Sequence, residues 1–161
     1  MIKPLVVFFF CFTGQYLNSI KMAHYHEPVS AGIIIYRRSH GIQYLLIQER
    51  TNGFWAPPKG KVDPGESEFG AAKRETREEC GLSQRDLDIK HGFDKTVYYQ
   101  LGYNRRKRVV YFLAEVYNPN VHIRLSEEHT DKCWSNLHEA VSLVNYPPVQ
   151  EALYAANNHI H

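Results

Sequence analysis

The chain has 161 residues with 43% hydrophobic side chains, and its formal net charge at pH 7 is +2. That length allows one well-buried core and excludes two domains of ordinary size. So small a net charge argues against a stable nucleic-acid partner bound over a large basic surface. The three cysteines, at positions 11, 80 and 133, lack the spacing of a zinc site or a disulfide framework, which favours a reducing compartment.

The first 26 residues differ in composition from the rest of the chain. An apolar run from Leu5 to Phe12 follows Lys3, as at the start of a secretory signal. No clear cleavage site of small residues follows, and the run is too short to cross a membrane. We interpret residues 1–26 as an extension and residues 27–161 as the domain of a cytoplasmic, monomeric protein without a membrane partner. A real signal or anchor, and hence a secreted or anchored protein, is the alternative.

The domain begins with a predicted β-hairpin. Two apolar runs, 31–38 and 42–49, are joined by a short Ser-His-Gly connection. A loop with glycine and proline follows and leads to Lys59. A helix is then predicted from Ser67 to about Cys80, ended by a glycine. Its expected buried stripe consists of Phe69, Ala72 and Thr76.

Strands and helices alternate again in the second half. Strands are predicted over 87–100 and 109–116, with a turn from Gly102 to Arg108 between them. Asn136 and Glu139 form a capping box for a helix that ends near Val144. Pro147 and Pro148 are placed to begin a last helix toward Asn157. Strands with helices on both flanks predict the α/β class, as an α/β/α sandwich around a mixed sheet.

Three carboxylates share one face of the first predicted helix. Glu75, Glu78 and Glu79 are spaced at i, i+3 and i+4, which stacks them one above another. Like charges in that arrangement repel, and a hard divalent cation such as Mg²⁺ or Mn²⁺ removes the repulsion. The pattern therefore favours a metal site. The alternative is a solvated amphipathic helix with chance clustering of acidic residues.

The segment from Gly60 to Leu82, GKVDPGESEFGAAKRETREECGL, resembles the signature of the Nudix hydrolases. The matching positions are Gly60, Glu66, Arg74, Glu75, Glu78, Glu79, Gly81 and Leu82, while Thr76 stands where the pattern prefers an aliphatic residue. The resemblance implies an α/β/α sandwich and metal-dependent hydrolysis of a nucleoside polyphosphate. It implies that Arg74 orients the carboxylates, and that Mg²⁺ or Mn²⁺ is bound by Glu75, Glu78, Glu79 and Gly60.

Two flanking segments narrow the resemblance. Residues 54–66, FWAPPKGKVDPGE, and 111–134, which include Leu-Ser-Glu-Glu-His, are similar to the asymmetrical diadenosine tetraphosphate hydrolases of animals within the Nudix family. This similarity implies a dinucleoside polyphosphate substrate, with diadenosine tetraphosphate cleaved to ATP and AMP. It implies Glu128 as a further metal ligand or base. The implied substrate-binding residues are Lys59, Lys107, Tyr99, Tyr146 and Glu66. Two positions differ from the sequences of these animal enzymes: Phe54 and Lys61 each stand where those enzymes carry histidine.

Several alternatives stay open at this stage. The general base is Glu79 or Glu128, and Glu128 could instead be an ordinary exposed loop residue. The basic run at 105–108 keeps alive a pyrophosphohydrolase that acts on 5′-triphosphorylated or capped RNA. The third possibility is a module that binds nucleotides without hydrolysing them. The presence of Arg74, Glu75, Glu78 and Glu79 together argues against it. His129 is expected to pack rather than to take part in catalysis.

Overall fold

A computed structural model describes residues 27–103 and 105–161, so the interpretation of residues 1–26 falls on a segment outside this description. One sheet and three α-helices make up the described fold. The strands are β1 (Val29–Arg38), β2 (Ile42–Glu49), β3 (Trp55–Ala56), β4 (Lys59–Lys61), β5 (Leu87–Gly102), β6 (Arg105–Val116) and β7 (His129–Ser135). The helices are α1 (Glu68–Cys80), α2 (Leu137–Leu143) and α3 (Pro147–Ile160), with a 3₁₀ turn at Gln84–Asp86.

The sheet is mixed, as the sequence predicts. Its main order is β3-β2-β1-β6-β5, while β4 pairs with β1 and β7 pairs with β2. β1 and β6 run parallel, and the remaining pairs are antiparallel. Along β1 the alternation of side chains splits the core: Ile33 and Ile35 pack with α1, and Ile34 and Tyr36 pack with α2 and α3. The α/β/α sandwich is therefore confirmed.

Both ends of α1 follow the sequence signals. Ser67 caps the N-terminus by accepting a 3.0 Å hydrogen bond from the backbone N–H of Gly70. Gly81 has φ of 73°, a left-handed conformation that glycine adopts without strain. Thr76 is fully buried as expected. Phe69 is only half-buried, because its ring packs edge-on against Phe112 with 5.0 Å between centroids rather than entering the core.

The predicted turn from Gly102 to Arg108 is longer than the turn in the structure. β5 continues to Gly102 and β6 already begins at Arg105, where the two residues pair. The basic side chains are accommodated on the strand because carboxylates neutralise them. Arg106 forms an ion pair with Glu27 at 2.5 Å, and Arg108 forms one with Glu68. The longer hairpin brings Lys107 opposite Tyr99.

The C-terminal helices are placed as predicted. Asn136 and Glu139 form the reciprocal capping box at the start of α2, and α3 starts at Pro147. Within residues 27–103 and 105–161, none of the helices is long and apolar enough to span a bilayer. Cys80 and Cys133 are free thiols.

Candidate active site

A cleft of about 950 Å³ opens where β2 and β5 end and β6 begins. It is lined from several elements that are distant in sequence, including α1, β4 and the segment before β7. The predicted site residues in its lining are Lys59, Gly60, Glu75, Glu78, Glu79, Tyr99, Lys107, Glu128 and Tyr146. Most residues that the sequence nominated independently therefore lie in one place.

At Gly60, β4 runs directly over a carboxylate. A Cβ atom at this position would lie 1.9 Å from the carboxyl carbon of Glu75. A side chain there would force the Glu75 carboxylate out of the position in which Arg74 holds it. The glycine of the sequence motif thus allows β4 to approach the acidic face of α1 closely.

Arg74 holds the acidic face together from the side. Its Nη1 donates to Glu75 Oε1 at 2.7 Å and to Glu78 Oε2 at 3.2 Å. Its Nε and Nη2 donate to the two oxygens of Glu66 at 3.1 and 2.9 Å. This fork lowers the pKa of Glu66. Arg74 and Glu66 are absent from the residues that line the cleft, so the geometry of Glu66 favours a role in orienting Arg74 over a contact with substrate.

Glu79 differs from its neighbours because it is buried, with 8% of its surface exposed. The backbone N–H of Lys59 donates to its Oε2 at 2.8 Å. Burial raises the pKa of Glu79 to about 7, and the positive charge of Lys59 offsets only part of that effect. A carboxyl group with such a pKa can both lose and accept a proton near neutral pH.

Two lysines place positive charge in the cleft. Burial lowers the pKa of Lys107, and the nearby charge of Lys59 lowers it further. Glu49 and Glu75 act in the opposite direction. Two ammonium groups that destabilise each other in this way would gain from a bound polyphosphate, which offers several negative charges to both.

A pair of tyrosines closes one end of the cleft. The rings of Tyr99 and Tyr146 have centroids 4.6 Å apart at an angle of 56°. The hydroxyl of Tyr99 is also hydrogen-bonded, at 3.1 Å, to that of the fully buried Tyr111. Since the two rings touch, a planar ligand that enters between them has to displace one. Tyr99 is anchored by its hydroxyl, whereas Tyr146 lies on the connection between α2 and α3.

Comparison with known proteins settles the family. The NUDIX domain profile matches residues 26–156. The chain belongs to the Nudix family. The mouse protein named bis(5′-nucleosyl)-tetraphosphatase [asymmetrical] is 41% identical over 133 residues, covering 77% of this chain and 89% of the relative. The protein of that name from Caenorhabditis elegans is 40% identical over 119 residues, covering 73% and 85%.

A solved structure of this Nudix group has the same fold. The crystal structure of a C. elegans Ap4A hydrolase binary complex aligns with a TM-score of 0.78 and 36% identity, covering 83% of this chain and 97% of that chain. The family and fold predicted from the signature are thereby confirmed. Nudix hydrolases use divalent metal ions.

The donor set in this Nudix cleft fits a hard divalent cation. Glu75, Glu78, Glu79 and Glu128 offer only carboxylate oxygens, the ligands that such cations prefer. The buried carboxyl of Glu79, with its raised pKa, would be stabilised in its charged form by a nearby positive ion. In the described residues no three acidic, histidine or cysteine side chains are arranged to hold a metal as they stand. Arg74 engages two of the carboxylates instead.

The loop that carries Glu128 is held by a residue the sequence analysis missed. The backbone N–H of Arg50 donates to the carbonyl of Glu128 at 2.8 Å. Its guanidinium donates to the carbonyls of Glu127 at 2.6 Å and His129 at 3.1 Å. Three consecutive carbonyls are thus bound by one arginine. Because Arg50 lies some 80 positions earlier in the chain, no local sequence pattern could have revealed this contact.

His129 is buried, as expected of a packing residue, but it also touches the acidic cluster. Its Nε2 lies 3.6 Å from Glu79 Oε1, and its Nδ1 is 3.0 Å from the hydroxyl of Ser126. Burial lowers the pKa of His129, so the ring is neutral at pH 7 and the contact with Glu79 is not an ion pair. The ring therefore excludes water from one side of Glu79 without neutralising it.

Proposed function

We propose that this Nudix protein hydrolyses dinucleoside polyphosphates, cleaving diadenosine tetraphosphate to ATP and AMP with Mg²⁺ or Mn²⁺. The observation that carries the proposal is the composition of one cleft. Carboxylates for a metal, two lysines for phosphates and a tyrosine pair for a base line it together. The names of the mouse and C. elegans relatives support the same substrate.

The acidic residues would hold the cation. Glu75, Glu78, Glu79 and Glu128 are the proposed ligands, with the backbone of Gly60 beside them. When bound, a divalent cation would supply positive charge that offsets the charge of the phosphates and would lower the pKa of a water molecule. Arg74 keeps Glu75 and Glu78 oriented through the hydrogen bonds to its Nη1.

A carboxylate of the chain accepts the proton of the attacking water. Glu79 is one candidate, because a pKa of about 7 suits a general base near neutral pH. Glu128 is the other, since it faces the same cleft from an exposed loop. Lys59 and Lys107 stabilise the negative charge that develops on the leaving phosphate chain.

The tyrosine pair would bind one nucleobase. Stacking on an aromatic ring is worth about 1–3 kcal/mol per base. The 4.6 Å spacing of Tyr99 and Tyr146 means that the base either separates the rings or stacks on an outer face. In both cases the adenosine lies next to Lys107, which pairs with Tyr99 across β5 and β6, so base and first phosphate are bound by adjacent strands.

The RNA-directed alternative is weakened by the environment of the basic run. Arg106 and Arg108 are engaged by Glu27 and Glu68, so their charge is already balanced. A binding module without turnover is disfavoured because Glu75, Glu78 and Glu79 are all present in the cleft. We further propose a monomer that acts in the cytoplasm, which the free thiols of Cys80 and Cys133 suit.

A substrate panel tests the proposal. Purified protein with Mg²⁺ is incubated with diadenosine tetraphosphate, 5′-triphosphorylated RNA and capped RNA, and the products are separated by chromatography. The expected result is ATP and AMP in equal amounts from the dinucleotide. Two molecules of ADP would contradict the asymmetrical cleavage. Turnover of an RNA substrate without turnover of the dinucleotide would favour the alternative, and binding without any product would favour the non-catalytic module.

A further inference from the structure

Two exposed apolar side chains project into the cleft without an assigned role. Among the described residues, the large hydrophobic side chains that remain exposed are Phe54, Tyr98, Leu101, Tyr103, Tyr117 and Tyr154. Of these, only Phe54 and Leu101 line the cleft. Leu101 lies two residues beyond Tyr99, where the pairing of β5 with β6 is interrupted by a register shift, and both residues line the cleft. Phe54, with 57% of its surface exposed, belongs to a different part of the cleft.

The loop that presents Phe54 is held firmly in place. Its backbone carbonyl accepts from the N–H of Glu49 at 2.9 Å, and its N–H donates to Asn52 Oδ1 at 2.8 Å. The neighbouring Gly53 donates to the Glu49 carbonyl at 2.8 Å and accepts from the Gln48 side chain at 3.0 Å. An exposed aromatic ring on a loop so restrained loses little further backbone freedom when a ligand binds.

Phe54 and the tyrosine pair lie on different strands around the cleft. Phe54 directly precedes β3, which pairs with the edge of β2 that faces β1, because β7 occupies the other edge. Tyr99 lies on β5, beyond β1 and β6, so three inter-strand steps separate it from β3, on the order of 14 Å across the sheet. One base cannot contact both. Lys59 on β4, which pairs with β1, and Lys107 on β6 line the stretch in between, where a phosphate chain would run.

We propose that Phe54 forms a second base subsite, which stacks the nucleobase at the far end of a dinucleoside polyphosphate. The inference rests on the proposed function and adds the residue that distinguishes a two-base ligand from a one-base ligand. An aromatic face is the surface on which any nucleobase stacks. The order of aromatic ring, cationic centre and aromatic ring along the cleft matches the order of base, phosphates and base in such a ligand.

The test compares two ligands with the same number of phosphates. Diadenosine tetraphosphate has a base at each end, whereas adenosine 5′-tetraphosphate has only one. Phe54→Ala should raise KM for the dinucleotide by about 5-fold to 100-fold. It should leave KM, or Ki where the ligand is not turned over, unchanged for the mononucleotide. Phe54→Trp should retain the wild-type preference, and Tyr154→Ala, an exposed tyrosine on α3 outside the cleft lining, is the matched control.

Two outcomes would overturn the subsite. Equal losses with both ligands would assign Phe54 to loop support or to phosphate binding, and no loss with either would leave it without a role in recognition. Failure of the proposed function is a separate result, namely no turnover of the dinucleotide by the wild-type protein. In that case equilibrium binding of the same two ligands decides: a loss confined to the dinucleotide supports the subsite, and any other pattern rejects it.

Discussion

The backbone N–H of Lys59 donates a 2.8 Å hydrogen bond to Oε2 of Glu79, which ties β4 to the buried carboxylate. The same residue thus offers its backbone to the acidic cluster and its ammonium group to the cleft. Any ligand that shifts β4 would also shift Glu79. The hydrogen bond therefore links the strand that carries Lys59, a proposed phosphate contact, to a candidate base.

Replacing Glu79 by glutamine tests its chemical role. Glu79→Gln keeps an oxygen that can accept from Lys59 but removes the charge, so the fold should persist. We expect kcat to fall by at least about 100-fold, the scale for loss of a general base or metal-organising group. Glu151→Gln, an exposed residue on α3, should leave kcat unchanged. Retained activity that still requires the metal would remove Glu79 from the mechanism and leave Glu128 as the candidate base.

The raised pKa of Glu79 predicts a specific pH dependence of stability in the metal-free protein. A carboxyl whose pKa rises from 4.5 to about 7 on folding binds its proton more tightly in the folded state. Its contribution is therefore most favourable below pH 4.5 and is lost as the pH rises through 7. The loss should amount to up to about 3 kcal/mol.

Denaturant unfolding with a chelator, at pH values on both sides of this window, measures the effect. Subtracting the free energy of unfolding of Glu79→Gln from that of the wild type cancels the contributions of the other titrating groups. This difference should decrease as the pH rises. Added Mg²⁺ should reverse the trend, because it binds the folded protein with Glu79 charged. A difference that is independent of pH would show that Glu79 titrates normally.

Arg50 should matter for catalysis although it is not a predicted ligand. Arg50→Ala removes the two guanidinium bonds to the carbonyls of Glu127 and His129, which releases the loop that carries Glu128. A displacement of a catalytic group by about 1 Å can cost about 100-fold, so we expect kcat to fall by about 10-fold to 100-fold. Arg85→Ala, another exposed arginine, is the control.

A double-mutant cycle identifies the route of this effect. If Arg50 acts by positioning Glu128, Arg50→Ala should cost much less in a Glu128→Gln background than in the wild type. Additive losses would instead indicate that the arginine affects the fold or another part of the site. The free energy of unfolding, measured for each variant, separates the two cases.

Local signals and distant contacts explain what the sequence could and could not predict. The ends of α1 were predictable because Ser67 and Gly81 act on the backbone next to them. The two-residue strand β3 was not, because a proline-containing loop shows no alternation. The close approach of Gly60 to Glu75 could be expected only from the Nudix resemblance. The contacts of Arg50 depend on how β2 and the segment before β7 meet, which follows from tertiary packing alone.

The tyrosine pair gives the last prediction, which concerns binding more than chemistry. Tyr99→Ala and Tyr146→Ala should each raise KM for diadenosine tetraphosphate by several-fold to about 100-fold, from about 1–3 kcal/mol of lost stacking. The value of kcat should change less, because stacking is felt in the ground and transition states alike. Tyr99→Phe keeps the ring but loses the hydrogen bond to Tyr111, so it separates anchoring from stacking.

Steady-state kinetics of the two alanine variants and of Tyr146→Phe completes that test. Tyr146→Phe should behave like the wild type, since stacking needs only the ring. Because the rings of Tyr99 and Tyr146 touch in this structure, removing either one also removes the contact that a base would have to break. Part of the lost affinity would then be regained, so the increases in KM should fall in the lower part of the range given above. A fall in kcat without a change in KM would place the pair in the chemistry and contradict a base-binding role.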